Sequence, residues 1–351
     1  MDIQTVKDKK LKLTMLSAAD SVKGQGVGSA YTELMRLLDR LGQDDFDISV
    51  NKGAKKCDVV HAHTIGLGSY LRLRGTRSPS VVSVHFTPDM ISKSVRMPKP
   101  FMSIFLKYIL RFYRSADYVH VVNPDLRKAL TEEYGFSAEK IHYIPNFVAK
   151  SQFFPMTDDE RAEVRKKYGI KDNDFLCFAS GQTRAGKGVH DFVAVAKEMP
   201  DVKFIWAGGF SFGPAADGYN ETKEMLKNLP DNVQFIGIVP RDDINGLLNA
   251  ADLFFFPSYQ ELFPMSILEA ASTNTPLLLR NLPEYQNILA GYFYSAETNE
   301  EFIEGIKKIR DDKQLYDELV KKSAEVSAQY SEERTYELWK EFYSACAGRE
   351  A

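Results

Sequence analysis

Short apolar runs rich in β-branched and aromatic residues alternate along the chain with segments in which apolar residues recur at helical spacing. In the first half, this pattern predicts strands at 11–17, 47–51, 58–63, 81–86, 118–123 and 141–146. In the second half, it predicts strands at 175–181, 202–209, 233–239, 253–258 and 276–281. Strands that alternate with helices form parallel sheets, so we expect an α/β protein with two Rossmann-like, doubly wound domains.

The two series of strands meet at 146–157, where a turn-forming asparagine and a proline precede a charged helix predicted at 158–168. A chain of 351 residues is long enough for two domains. We therefore expect a first domain over 1–150 and a second domain over 151–330.

The C-terminal segment, 331–347, begins with a helix N-cap at Ser331. Aromatic side chains then follow on one helical face, at Tyr336, Trp339, Phe342 and Tyr343. A helix with so aromatic a face must dock on another element of the protein.

The composition is that of a globular protein, because 44% of the residues are hydrophobic and 26% are charged. It excludes collagen-like, mucin-like and wholly disordered chains. We expect no transmembrane helix, since no window approaches 18 uninterrupted apolar residues, and no secretion signal, since the charged N-terminus lacks an apolar core. Cys57, Cys177 and Cys346 have neither disulfide nor zinc spacing, which fits a reducing compartment.

Charge is divided unevenly between the two halves. Residues 1–150 contain 23 basic and 15 acidic side chains, a net charge of +8, whereas the remainder carries −11. The basic half indicates an anionic partner, for which nucleic acid and an anionic membrane are the two candidates.

Residues 91–114 concentrate this positive charge and contain no acidic side chain. Their basic positions are Lys93, Arg96, Lys99, Lys107, Arg111 and Arg114. From residue 101, apolar side chains at helical spacing leave a basic stripe, which is typical of an interfacial helix on an anionic membrane. The alternative is a core-packing helix with a solvated basic edge. No RNA-recognition, zinc-finger or helix-turn-helix pattern supports nucleic acid.

A glycine-rich stretch, GQGVGS at 24–29, lies between a predicted strand and a helix predicted near 28–42. Gly26 and Gly28 let the backbone approach an anion, and the helix start presents free N–H groups. The spacing fits a dinucleotide fingerprint poorly, and an ordinary strand–helix turn is the alternative.

A second glycine-flanked loop, within 180–193, carries Arg184 and Lys187 between a strand and a helix. Two cations and free amide groups at a helix start suit a diphosphate. The spacing is not that of a Walker A loop, and a solvated charged loop is the alternative.

Two glutamates fall eight residues apart in the segment 257–271. Glu261 lies in the loop after a predicted strand, and Glu269 lies in the helix that follows. The first can accept hydrogen bonds from a sugar, and the second can hold a ribose diol. The alternative is that both glutamates are solvated and bind no ligand, which is the more frequent case for such a pair taken in isolation.

Three of the six histidines, His61, His63 and His85, stand at or just after the ends of predicted strands. The carboxyl ends of parallel strands face the ligand crevice. Interior packing is the alternative and is favoured for His61. No HExxH motif or paired carboxylate accompanies them, so we expect no metal site.

These motifs together resemble those of retaining glycosyltransferases of the GT-B fold, family 4. The match rests on the Arg-x-x-Lys-Gly loop at 184–188, the Glu-x7-Glu motif at 261–269 and the interdomain stretch YIPNFVAKSQFFP at 143–155. The C-terminal aromatic helix resembles the family's helix that crosses back to the first domain. The segments at 17–38, HAHT, VHFTPDMI and LLLRNLPEYQNILAGYF resemble, more narrowly, bacterial synthases that add a second hexose to monoglycosyl-diacylglycerol at the cytoplasmic membrane face.

The resemblance implies a role for each matching residue. Arg184 and Lys187 would neutralise the diphosphate of the donor, Glu261 would bind hexose hydroxyls, and Glu269 would bind the ribose. His85 would lie beside the transferred sugar. The other positions expected at the donor are Gly26, Gly28, Leu262 and Phe263. The donor would be a UDP-hexose, and neither a metal nor another cofactor would be needed.

Two positions depart from the family pattern. Leu262 follows the first glutamate, where many members have glycine, and Asn274 stands where a glycine usually precedes the Thr-Pro strand. The first departure leaves the detailed sugar contacts open.

The sequence thus predicts a retaining hexosyltransferase, peripheral on the inner face of the cell membrane. It would move glucose or galactose from the UDP-sugar to monoglycosyl-diacylglycerol, with the acceptor bound by the basic first domain. One alternative keeps the donor site and changes the acceptor to a polysaccharide or teichoic acid. A further alternative is a non-catalytic module that binds nucleotide sugars or nucleic acid.

Overall fold

The computed structural model describes residues 9–18, 26–53, 56–94, 98–210 and 218–349. Its strands are β1 (Leu11–Leu16), β2 (Phe46–Val50), β3 (Val59–Ala62), β4 (Ser80–Val84), β5 (Tyr118–Val121), β6 (Ile141–Tyr143), β7 (Phe175–Ser180), β8 (Val202–Ala207), β9 (Val233–Gly237), β10 (Leu253–Phe256), β11 (Leu277–Arg280) and β12 (Tyr294–Ala296). Its helices are α1 (Gly26–Leu41), α2 (Leu67–Gly75), α3 (Pro88–Ser94), α4 (Lys99–Tyr113), α5 (Pro124–Glu132), α6 (Asp158–Lys167), α7 (Val189–Lys197), α8 (Tyr219–Met225), α9 (Arg241–Ala250), α10 (Met265–Ser272), α11 (Asn299–Asp311), α12 (Lys313–Gln329) and α13 (Glu332–Cys346).

The strands form two six-stranded parallel sheets. The first has the order β2-β1-β3-β4-β5-β6, and the second has the order β12-β11-β10-β7-β8-β9. In each sheet the order reverses once, between β1 and β3 and between β7 and β10. The two doubly wound sheets predicted from the sequence are confirmed, and the reversal points are where such sheets bind ligands.

The central strands are apolar on both faces because helices cover both sides of each sheet. Every residue of β10 is buried, and β10 pairs with β7 through Leu253 and Cys177 and through Phe254 and Phe178. Strand β12 was not predicted. It has only three residues at the edge of the second sheet, and its Tyr294 and Ser295 are not buried.

Helix α13 packs on the first sheet, although its sequence follows the second. The Ser331 side chain caps the helix by accepting a hydrogen bond of 3.4 Å from the Arg334 amide. Its predicted aromatic face is buried with residues of β1 and α1, and the Tyr343 hydroxyl lies 2.8 Å from His61 Nδ1. The C-terminal helix therefore crosses back to the first half of the fold, as the resemblance implied.

The unusual Asn274 has a backbone explanation. Its φ angle is +60°, in the left-handed region that glycine adopts freely and asparagine tolerates better than most residues. The turn between α10 and β11 thus keeps its shape without the family's glycine.

Candidate active site

A cleft of about 440 Å³ lies between the two sheets. The first half of the chain contributes His85, Phe86, Met90 and Asn146 to its wall, among other residues. The charged side chains on the opposite wall are Arg184, Lys187, Arg241, Glu261 and Glu269. The structure therefore brings the two motifs of the second domain together and places His85 across from them.

The topology of the second sheet explains this convergence. Arg184 and Lys187 follow β7, and Glu261 follows β10, so the two loops start on either side of the reversal point. The loops touch at Gly188, whose φ is +75° and where a Cβ atom would come within 2.2 Å of the Pro257 carbonyl oxygen. A side chain at this position would push the cationic loop away from the Glu261 loop.

Lys187 and Glu261 form a largely buried ion pair between the two loops. Ser258 Oγ donates a second hydrogen bond, of 2.7 Å, to the same Glu261 oxygen, and the ammonium group lies 5.5 Å from the centre of the Phe256 ring. Burial lowers the pKa of Lys187, and the charge of Glu261 opposes that shift. An incoming anion would give this lysine a second partner.

Arg184 lies in the same loop as Lys187, three residues before it. Its Nε donates a hydrogen bond of 3.1 Å to the Gln182 side chain, which also lines the cleft. The side chain is half-buried, so the guanidinium stays accessible from the cleft. Both predicted diphosphate ligands therefore face the same space.

Leu262 and Phe263, directly after Glu261, also line the cleft. Leu262 is half-buried, whereas Phe263 is buried and its ring centre lies 4.8 Å from that of Tyr330. Asn123 and Asn146 donate to the carbonyl oxygens of Leu262 and Phe263, at 2.6 and 2.8 Å. The first domain thus fixes the loop that carries Glu261, and the aromatic side chain of Phe263 serves the core.

Helix α10 follows this loop and points its first turn at the cleft. Met265 and Ser266 line the cleft. The first turn holds no acidic residue, and among the described residues no side chain caps the helix start. Free amide groups and the positive end of the helix dipole favour an anion at this position. Glu269, in the second turn, also lines the cleft.

Arg241 is a site residue that the sequence pattern did not identify. Its Nη2 atom lies 3.2 Å from Glu269 Oε1 and also 3.2 Å from Glu33 Oε1, which belongs to α1 of the first domain. Glu33 could have been noticed in the sequence, because it is a charged residue on the apolar face of α1. Nothing in the sequence distinguishes Arg241 from the other surface arginines.

His85 forms part of the first-domain wall of the cleft, directly after β4. Burial lowers its pKa to about 4, so the imidazole is neutral near pH 7. Its Nε2 atom is buried and has no hydrogen-bond partner among the residues described here. A neutral imidazole can donate or accept one hydrogen bond at a substrate hydroxyl.

The other two histidines of the motif pack behind this wall. His61 Nε2 lies 2.8 Å from Ser83 Oγ, which in turn lies 2.9 Å from His120 Nδ1. The ring centres of His61 and His63 lie 4.0 Å apart, and the two ring planes are tilted by 40°. Interior packing of His61 is therefore the correct interpretation. Within the described ranges, no group of three His, Cys, Asp or Glu side chains is arranged to hold a metal.

The glycine motif differs from its prediction. Helix α1 begins at Gly26, so Gly26 and Gly28 occupy its first turn and not a loop before it. The Gly28 carbonyl accepts a hydrogen bond of 2.9 Å from Thr32 Oγ1 within the helix. Residues 19–25, including Gly24, lie outside the described part of the chain.

The predicted membrane-facing segment exposes apolar side chains beside its basic ones. Helix α4 buries Ile109, Phe112 and Tyr113, but Phe101 and Ile104 are 64% and 67% exposed. Helix α2 adds Leu67 and Leu71 to the exposed apolar side chains. The exposed basic residues of α4 and its C-cap are Lys99, Lys107, Arg111 and Arg114, and those of α2 are Arg72 and Arg74. The side chains of Lys93 and Arg96 are outside the described residues.

Arg111 and Arg114 also contact the body of the first domain. Arg111 Nε donates a hydrogen bond of 2.9 Å to the Tyr70 hydroxyl on α2, and Arg114 donates one of 2.7 Å to the Tyr134 carbonyl. The bond from Arg111 therefore ties α4 to α2. Among the described residues, no helix combines the length and apolar character needed to span a bilayer.

Two family models match the chain in tandem. The model described as Glycosyltransferase Family 4 matches residues 24–152, and the model described as Glycosyl transferases group 1 matches residues 160–326. The fold is also that of solved glycosyltransferases. The crystal structure of Anabaena HepE in complex with UDP-glucose superposes with a TM-score of 0.78 at 17% identity, covering 96% of this chain and 100% of that one.

Curated relatives match over nearly the full length. The alpha-galactosylglucosyldiacylglycerol synthase of Streptococcus pneumoniae is 39% identical over 99% of this chain and 93% of its own length. The processive diacylglycerol alpha-glucosyltransferase of Acholeplasma laidlawii is 26% identical over 95% of this chain and 98% of its own. The chain therefore belongs to the family 4 glycosyltransferases of the GT-B fold, as its sequence motifs predict.

Proposed function

We propose that this glycosyltransferase moves glucose or galactose from its UDP-sugar to a monoglycosyl-diacylglycerol. The observation that carries the proposal is the 39% identity, over 99% of the chain, to a synthase named for a diglycosyl-diacylglycerol product. The cleft supports it, because it pairs a cationic wall suited to a diphosphate with carboxylates suited to sugar hydroxyls.

The donor would lie on the second domain. Arg184, Lys187 and the first turn of α10 would stabilise the charge of the UDP leaving group. Glu261 would accept hydrogen bonds from the hexose, and Glu269 would accept them from the ribose. Leu262 and Phe263 would contribute their backbone amide groups. We propose that this cationic environment makes a metal and any other cofactor unnecessary.

We further propose that the reaction retains the anomeric configuration. The acceptor hydroxyl oxygen would bond to the anomeric carbon from the leaving-group side while the bond from that carbon to the UDP oxygen breaks. The released phosphate oxygen would take the acceptor's proton. Both carboxylates among the described cleft residues are already paired, Glu261 with Lys187 and Glu269 with Arg241, which disfavours either one as the nucleophile. Neutral His85 would hold a hydroxyl at the reaction centre.

The acceptor would reach the cleft from an anionic membrane. The protein would bind peripherally to the cytoplasmic side of this membrane through the surface of α2 and α4. Four exposed apolar side chains there could enter the lipid interface, and the neighbouring lysines and arginines could contact headgroup phosphates. We divide the chain accordingly into an acceptor domain, 1–150 with 331–351, and a donor domain, 151–330.

Separate incubations with UDP-glucose and UDP-galactose test this function. Anionic vesicles would contain either diacylglycerol or monoglucosyl-diacylglycerol, and mass spectrometry would identify the lipid products, with and without EDTA. We expect one donor to add one hexose to the glycolipid, equally well with EDTA. Hydrolysis of a donor without any lipid product would overturn the glycolipid acceptor and direct the search to a polysaccharide or teichoic acid.

A further inference from the structure

Arg241 is the point at which the two domains and the segment between them meet. It stands at the start of α9 in the second domain and contacts Glu33 of the first domain and Glu269 of the donor wall through one nitrogen atom. Its Nε donates a hydrogen bond of 3.1 Å to Gln152, and its guanidinium lies 4.9 Å from the centre of the Phe153 ring. Four neighbours thus fix the orientation of one guanidinium.

The two carboxylates compete for this cation. Glu33 is 1% exposed and Glu269 is 7% exposed, so water screens neither charge well. Glu33 Oε2 is buried without a hydrogen-bond partner in the described structure, and Arg36, 3.4 Å from Oε1, is half exposed. Arg241 therefore shares its single positive charge between two buried carboxylates, one on each side of the domain boundary.

Burial is the main cause that raises the pKa of Glu269, and the charge of Glu33 raises it further. Arg241 acts in the opposite direction, through its charge and its hydrogen bond. The other charged groups on the cleft wall are Arg184, Lys187 and Glu261. Helix α12, which also packs on α10, contacts it through the neutral pair Ser327 and Ser272.

We propose that Arg241 is the positioning residue of the donor site, holding the Glu269 carboxylate ionised and oriented for the ribose against the competing charge of Glu33. This inference rests on the proposed contact between Glu269 and the donor ribose. It predicts that a residue of the acceptor domain, Glu33, sets donor affinity without touching the donor.

The test measures UDP affinity by isothermal titration calorimetry at pH 6 and pH 8. Without the guanidinium, Glu269 becomes protonated more readily and accepts fewer hydrogen bonds. We expect Arg241→Gln to weaken UDP binding about 10-fold at pH 6 and about 3-fold at pH 8. Adding Glu33→Gln removes the opposing charge. On a logarithmic scale, the double variant should regain at least half of the UDP affinity lost at pH 6.

Arg310→Gln is the matched control. Arg310 is 28% exposed and pairs with Asp201 and Asp311, outside the lining of the cleft, whereas Arg241 is 32% exposed. We expect Arg310→Gln to leave UDP affinity unchanged at both pH values. Arg241→Lys, which keeps the charge, should bind UDP with a smaller pH dependence than Arg241→Gln.

A purely structural role would give a different pattern. Equal losses at both pH values, with no recovery on adding Glu33→Gln, would overturn the inference. If Arg241→Gln does not fold, Glu33→Gln alone tests the same claim, because it should extend tight UDP binding to lower pH; an unchanged pH profile would refute it. Glu269→Gln distinguishes the proposed ribose contact of Glu269 from the positioning role of Arg241. Wild-type affinity in that variant would refute the ribose contact itself, whereas weakened binding there without the Arg241 pattern would refute only the positioning role.

Discussion

Asn123, in the first half of the chain, donates a hydrogen bond of 2.6 Å to the carbonyl oxygen of Leu262, in the loop that carries Glu261. The same asparagine is fully buried and caps α5 by accepting a hydrogen bond of 2.7 Å from the Asp125 amide. One side chain therefore caps the start of a helix of one domain and fixes a cleft-lining loop of the other. The cleft depends on contacts between the domains as well as on the sequence motifs within each.

Replacing Asn123 by serine should separate these two roles. Serine can still cap α5 but is too short to reach Leu262. We expect kcat/KM to fall about 10-fold while the melting temperature falls by only a few degrees, because the lost hydrogen bonds to Leu262 and, at 3.4 Å, to Glu284 mainly orient the loops of the second domain. The exposed Asn228→Ala is the control. A loss of stability that matches the loss of activity would show that Asn123 acts on folding alone.

Removing the Lys187 side chain should strongly impair transfer. Lys187→Ala deletes the cation proposed at the diphosphate and leaves Glu261 without its counter-ion, so we expect kcat/KM to drop by about 100- to 1,000-fold. Steady-state kinetics with the preferred UDP-hexose measures this loss. Lys227→Ala is the control, since Lys227 is 62% exposed and pairs only with Glu224 among the described residues. Near-normal turnover in both Lys187→Ala and Glu261→Ala would refute the assigned site.

Charge reversal on α4 should abolish binding to anionic vesicles. The triple variant Lys107→Glu, Arg111→Glu and Arg114→Glu loses three contacts of about 1 kcal/mol each and adds three repulsions, so sedimentation with vesicles should fall at least 100-fold. The apolar variant Phe101→Ser with Ile104→Ser should weaken binding to neutral and anionic vesicles alike, because it removes exposed apolar area.

A second triple variant controls for net charge. Lys227→Glu, Lys313→Glu and Lys321→Glu place the same charge change on exposed positions of the second domain. If both triple variants lose vesicle binding equally, the α2 and α4 surface has no special role and overall charge explains the effect.

The buried histidines predict a loss of stability in acid. Burial is the main cause that lowers the pKa of His85 to about 4 and that of His120 to about 3, while an unfolded histidine titrates near 6.5. Below about pH 6.5 the unfolded chain therefore binds more protons, and the stability present above that pH is lost as the pH falls. Each of these histidines contributes about 1.4 kcal/mol per pH unit between about pH 6 and pH 4.

Denaturant unfolding between pH 7.5 and 4.5 measures this slope. His120→Gln keeps a hydrogen-bonding side chain near Ser83 and Ile144 but removes one titrating group. The slope of its unfolding free energy against pH should be lower than that of the wild type by an amount equivalent to about one bound proton. Equal slopes would mean that the pKa of His120 is not lowered in the folded protein.

The positions of eleven of the twelve described strands were predictable from the sequence, because parallel strands buried on both faces form continuous apolar runs. Strand β12 was missed because its three residues sit at an edge and provide no such run. The start of α1 was placed two residues late, since glycine is a poor indicator of a helix and Gly26 and Gly28 are both inside it.

The cleft residues were predictable where the charged side chains stand together in one loop. Arg184 and Lys187 stand in a glycine-flanked loop after a strand, and Glu261 stands in another, so local sequence sufficed for both. Arg241 and Asn123 could not be found in this way, because their partners are 208 and 139 residues away, and only the packing of the two domains brings them together.

The most direct measurement is the mass of the lipid formed from monoglucosyl-diacylglycerol and a UDP-hexose, with wild type and Lys187→Ala compared in the same anionic vesicles. We predict one additional hexose on the glycolipid with wild type and at least 100-fold less product with the variant. Wild type that consumes neither UDP-glucose nor UDP-galactose, or that forms the same amount of product as the variant, would contradict the proposed transfer in this cleft.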